Sequence, residues 1–208
     1  MMSLLNKIIE SALTNIDHDF YSFHRFGTAN NLLLNEESKK NQSDQLNIEH
    51  PQNFTPESHD SLICNYPVEW TTQYLENSYS LVDPVVYKSK NQFNPFIWGE
   101  GYFSPEDIDL EEKEQFIKDA NDYNLSQGIS VPLGTYNNSY GVMTIAFKKS
   151  KFISNTTFFG ITSHLNHLGK MISKLQDFSE GKITLSLEEQ ETLFKFLTNS
   201  NHSCTAMI

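Results

Sequence analysis

The chain has 208 residues, of which 38% are hydrophobic and 12% aromatic, with a formal net charge of −11. That is enough apolar material for one domain with a real core. The acidic balance argues against a phosphate-binding surface formed by the chain as a whole, because nucleic-acid affinity needs clustered Lys and Arg. Its two cysteines, Cys64 and Cys204, form no C-x-x-C pattern and no disulfide framework, which suits a reducing cytoplasm.

The N-terminal segment MMSLLNKIIESALTNI carries Lys7 and Glu10 inside its apolar stretch and lacks a small-residue cleavage site, so it does not read as a signal peptide. No apolar run is long enough to span a membrane. Leu5, Ile9, Ala12, Leu13 and Ile16 recur at helical spacing, which predicts an amphipathic helix over residues 3–16. The aromatic DFYSFHRFG reads as a strand stopped by Gly27. Residues 35–60 are polar, with two prolines and little periodicity, and are expected to be a long surface loop.

LICNY returns to strand character, and residues 67–79 are expected to be helical, with Pro67 in the first turn. Trp70 and Tyr74 then share a face. Asp83 stands directly before Pro84, an N-cap position. The acidic segment after Pro105 predicts a helix with its carboxylates placed early. GISVPLGTY and YGVMTIAFK, joined by residues 137–139, predict a β-hairpin. Phe158, Ile161, Leu165, Leu168, Ile172 and Leu175 mark one apolar face of a long helix over 155–176. A linker at 177–185 precedes a last helix from Ser186, where Glu189 completes a capping box. This order predicts an α+β sandwich with an antiparallel sheet.

Both tryptophans, and an Asp set directly before a Pro (Asp83), gather between residues 65 and 100. The plain reading is that Trp70 and Tyr74 fill the core, Asp83 caps a helix, and Trp98 packs beside Phe96. The alternative is a small-molecule pocket, with apolar walls and a few convergent polar tips. His164 and His167 are three apart, but no third ligand is spaced nearby for a metal. No nucleophile–base pair or Gly-rich phosphate loop is visible, and Asp83 lacks a companion carboxylate, so an enzyme is not expected.

The series YPVEW…Y…Y…DPVV…P…W, followed by GISVPLG (128–134) and YGVMTIA (140–146), resembles the autoinducer-binding domain of LuxR-type quorum-sensing regulators. The resemblance covers about residues 5–176 and implies an α/β/α sandwich, PAS/GAF-like, with a central antiparallel sheet of about five strands. It implies an N-acyl homoserine lactone as ligand, with no cofactor. By position, Trp70 would donate to the lactone carbonyl, Asp83 would accept the amide N–H, and Tyr66 would bond the amide carbonyl with support from Thr144. Trp98 would wall the lactone ring, with Tyr74 and one of Tyr102, Phe103 or Phe116 lining the cavity. Val85, Val86, Val142 and the strand residues Phe20, Tyr21 and Phe23 are candidates for the acyl tail.

The same resemblance implies a homodimer, or a heterodimer with a full-length LuxR-type protein. Residues 186–208 resemble only the opening of the family's helix-turn-helix domain, without its recognition helix. From Phe178 onward there are two Lys, four Glu and no Arg, so DNA binding is expected only with a further C-terminal domain. A shortened receptor that sequesters signal or pairs with a relative is the competing expectation.

Overall fold

The computed structural model describes residues 2–27, 61–99, 111–136 and 139–192. Helix α1 (Met2–Leu13) leads into strand β1 (Phe20–Gly27), followed by β2 (Ser61–Cys64). Helix α2 (Val68–Glu76), a 3-10 turn (Tyr79–Leu81) and helix α3 (Pro84–Asn91) precede β3 (Phe96–Gly99). Helix α4 (Glu111–Asp122), the hairpin β4 (Gln127–Tyr136) and β5 (Ser139–Phe147), and the long α5 (Asn155–Ser179) complete the domain. The expected 35–60 loop, the tip of the hairpin at 137–138 and the residues from 193 on lie outside the described residues.

The sheet has five strands in the order β2-β1-β5-β4-β3, and every neighbouring pair is antiparallel. Successive strand residues point to opposite faces, and both faces are covered. On one, Tyr21, Phe23, Ile63, Ile129, Val131, Met143, Ile145 and Phe147 meet Leu5, Ile8, Ile9 and Leu13 of α1 and Leu165, Leu168 and Ile172 of α5. The helical stripes read from the sequence therefore bury as expected. The first helix stops at Leu13, before Ile16, whereas α5 runs to Ser179, past the expected end at 176.

Three contacts hold α5 in place. Ser154 caps its N-terminus by accepting the Thr157 amide at 3.2 Å. Near its C-terminus, Asp177 is fully buried and pairs with Arg25 of β1 at 2.6 Å. His164, one of the two histidines weighed as a metal ligand, instead lies 3.0 Å from the Ala12 carbonyl through Nε2 and ties α5 to α1. The capping box beyond the helix forms: the Ser186 amide donates to Glu189 Oε2 at 2.8 Å and the Glu189 amide to Ser186 Oγ at 3.3 Å.

Within the hairpin, the register shifts between Pro132 and Gly134. Pro132 has no N–H to give a ladder, and Gly134 takes φ +77°, a backbone angle open to glycine at little cost. The bulge is therefore written into the VPLG segment.

Candidate ligand-binding site

On the other face of the sheet, helices α2, α3 and α4 stand over strands that present a mixture of polar and aromatic side chains. Antiparallel register sorts these into three cross-strand rows. The middle row runs Cys64–Ser22–Thr144–Ser130–Phe96 from β2 to β3. On one side of it lies Leu62–His24–Val142–Pro132, and on the other Phe20–Ala146–Gly128–Trp98. The middle row is thus a band of three hydroxyls between two largely apolar rows.

That band is wired to its surroundings. Ser130 Oγ and Thr144 Oγ1 are 2.8 Å apart, and the Trp98 indole N–H donates to Ser130 at 3.0 Å. The Tyr66 hydroxyl donates to Ser22 Oγ at 3.3 Å. Trp98 lies flat across Gly128, where a Cβ would come within 2.2 Å of its ring. Only glycine at 128 leaves the indole this position, which explains the glycine that opens GISVPLG.

Helix α2 supplies Trp70 and Tyr74 one turn apart, both buried. Its boundary differs from the expected 67–79: Pro67 stands just before the helix at the cap, and the chain leaves at Glu76 to enter the 3-10 turn. Trp70 is boxed by Tyr74, Tyr79, Phe116 and Tyr123, with ring centroids 5.5–5.9 Å away. Its indole N–H has no hydrogen-bond partner among the described residues. Tyr79 and Gln73 anchor this wall to Asp119 of α4, Gln73 at 2.7 Å.

Asp83 does cap α3: its Oδ1 accepts the Val85 amide at 2.8 Å. The other oxygen accepts the Tyr74 hydroxyl at 2.9 Å. Two donors leave a carboxylate with acceptor capacity to spare. Burial pushes the carboxyl up to about 6, against the Val85 and Val86 amides and the Tyr74 hydroxyl, which hold it down. Burial also raises the Tyr66 and Tyr74 phenols, so both stay neutral donors at ordinary pH.

These groups enclose one cavity of about 810 Å³, inside the range of small-molecule sites. Tyr66, Trp70, Tyr74, Asp83, Val85, Trp98, Phe116 and Thr144 all line it, as do the tail candidates Val86 and Val142. Tyr102 and Phe103 lie outside the described residues. The remaining tail candidates are corrected by the pleat. Tyr21 and Phe23 point to the opposite face and are sealed in the α1–α5 core. Phe20 faces the correct side but packs behind Tyr66, ring centroids 5.7 Å apart.

Sequence reasoning missed Ser22, His24, Leu62 and Ser130, all of which line the cavity or hold a residue that does. A signal for two of them was present. DFYSFHRFG has aromatics at both parities, so the strand is buried on both faces, and its Ser22 and His24 must be buried too.

Fold and cavity together define a small-molecule-binding domain, a sheet with one face closed by packing and the other held open by aromatic and polar walls. Residues 46–167 match the autoinducer binding domain, and the chain belongs to that family. It is 28% identical over 89 residues to the transcriptional activator TraR of Agrobacterium vitis, covering 42% of this chain and 37% of the relative. It is 31% identical over 98 residues to the transcriptional activator LuxR of Aliivibrio fischeri, covering 47% and 38%. The matches thus span well under half the length of these two relatives. Among solved structures, SdiA of Escherichia coli superposes with a TM-score of 0.60 at 16% identity, over 96% of this chain and 73% of SdiA, a likeness of fold. SdiA has also been solved in complex with octanoyl-rac-glycerol.

Proposed function

We propose that this chain is the sensing domain of a LuxR-type quorum-sensing transcription regulator, and that its cavity encloses an N-acyl homoserine lactone. The observation that carries the reading is a complementary pair within one enclosed space. Trp70 offers an indole N–H with no hydrogen-bond partner among the described residues, and Asp83 offers a carboxylate with acceptor capacity left over. A lactone joined to an acyl chain through an amide supplies a carbonyl for the first and an N–H for the second.

The other groups take roles around that pair. Tyr74 orients Asp83 through its hydroxyl. Tyr66 and Thr144, held by Ser22 and Ser130, stand where the amide carbonyl would need donors. Trp98 forms a flat wall for the lactone ring, and Val85, Val86, Val142 and Phe116 provide apolar surface.

A ligand that binds only the folded chain raises its stability by mass action. Signal concentration would then control how much receptor persists, and through it dimerisation and transcription by the whole protein. Thermal melts with homoserine lactones of graded chain length, and with octanoyl-rac-glycerol, test the reading. Lactones of one length range should raise Tm selectively, and Asp83→Asn should abolish the shift. Absence of any lactone-dependent shift in the unmutated protein would overturn it.

A further inference from the structure

His24 lines the cavity but has no part in the lactone reading. It projects from β1 into the row Leu62–His24–Val142, between two aliphatic cross-strand partners, and is 8% exposed. Phe26 covers one side of its ring at a centroid distance of 3.6 Å, and the edge of Tyr74 stands 6.5 Å away. Neither ring nitrogen makes a hydrogen bond among the described residues, although the side chain lines the cavity. Burial, reinforced by the Lys90 ammonium, pushes the imidazole down to about 3, so it stands neutral, with one N–H donor and one bare nitrogen acceptor.

A neutral imidazole in an apolar row, with no hydrogen-bond partner among the described residues, loses hydrogen bonds unless something in the cavity provides them. Its position says what that something is. Ser22 and His24 lie on the same face of β1, two residues or roughly 7 Å apart along the strand. With the amide carbonyl at the Ser22–Tyr66–Thr144 band, the imidazole falls beside the first carbons of the acyl chain, on the side where Val86 and Val142 form the wall.

We propose that His24 is a specificity-determining residue that hydrogen-bonds an oxygen substituent near the head of the acyl chain. The cavity therefore selects oxo- or hydroxy-substituted acyl homoserine lactones over unsubstituted ones. The inference rests on the lactone reading above and deepens it. A neutral imidazole can donate to an oxo group and either donate to or accept from a hydroxyl, so both substituents are served, unlike with a Lys or a carboxylate.

Calorimetric titration with three eight-carbon lactones, unsubstituted, 3-oxo and 3-hydroxy, tests it. The substituted ligands should bind roughly tenfold more tightly than the unsubstituted one, the difference expected for one buried hydrogen bond. His24→Leu should erase that preference, and His24→Gln should restore part of it. Melting of each variant without ligand establishes that it folds. Equal binding of all three lactones by the unmutated protein would overturn the role of His24 and leave the lactone reading standing. So would an equal loss for all three in a folded His24→Leu. Failure of every lactone to bind would overturn both.

Discussion

On the α1–α5 side of the sheet, Tyr21, Phe23, Ile129, Met143 and Ile145 are at most 1% exposed and meet helix residues buried just as completely. On the α2–α4 side, strands of the same sheet carry Ser22, His24, Ser130 and Thr144, and enclose about 810 Å³ of space instead of filling it. Both faces hold buried polar groups, but they treat them differently. On the closed face Arg25 and Asp177 form an ion pair at 2.6 Å. On the open face Trp70 and His24 have no protein hydrogen-bond partner among the described residues, and Asp83 is only half used. The contrast teaches that one face makes the fold, and the other keeps unfilled capacity for a ligand.

The comparison breaks most sharply at the ion pair. Asp177→Asn removes the carboxylate that pairs with the buried Arg25 guanidinium, a loss of about 3–5 kcal/mol. Urea unfolding should show that loss in full without ligand, and the additional stabilisation by a bound lactone should be unchanged.

Asp83 gives the next largest effect, and its sign is the reverse of a salt-bridged carboxylate's. Its folded value of about 6 exceeds the ordinary 3.8, so the folded chain holds the proton more tightly than the unfolded one. The associated stability is complete below 3.8 and is lost as pH rises to about 6, amounting to about 2–3 kcal/mol. The pH dependence of urea unfolding in the unmutated protein minus that in Asp83→Asn isolates this term. Ligand affinity should run the other way. An amide N–H bonds the ionised carboxylate best, so affinity in the unmutated protein should rise from about pH 5 to about pH 7.

Gly128→Ala sharpens the contrast by forcing a methyl group to within 2.2 Å of the Trp98 ring. Overpacking of this kind costs about 1–3 kcal/mol. Because the ring must move away from Ser130, Trp98 fluorescence should shift and lactone affinity should fall, a double effect absent from closed-face substitutions. Tyr66→Phe is the mildest change. Removing the hydroxyl that donates to Ser22 should cost about 0.5–1.5 kcal/mol of unliganded stability, yet reduce ligand-dependent stabilisation by a similar further amount in paired melts.

Local patterns made much of the fold legible. The apolar stripes of α1 and α5, the Asp-Pro cap of α3 and the Ser186–Glu189 box need only neighbours within a turn or so of chain, which the sequence displays directly. The gathering of Tyr66, Trp70, Asp83 and Trp98 was legible because scarce residue types stood close together. β1 was not legible in the same way. With aromatics at both parities, alternation alone cannot say which set faces the cavity, so Tyr21 and Phe23 stay among the tail candidates until the fold places them in the α1–α5 core.

The sequence by itself determined that apolar stripes run along α1 and α5, that Asp83 caps α3, and that this carboxylate stands among indoles and phenols. All of these follow from side-chain volume, polarity and period along the chain. Only the tertiary structure decided that Ser22, Thr144 and Ser130 form one hydroxyl row, that Trp98 lies over Gly128, and that His24 shares the cavity with Asp83. Those neighbours come from different strands, and a register shift of one residue would turn each of them to the other face.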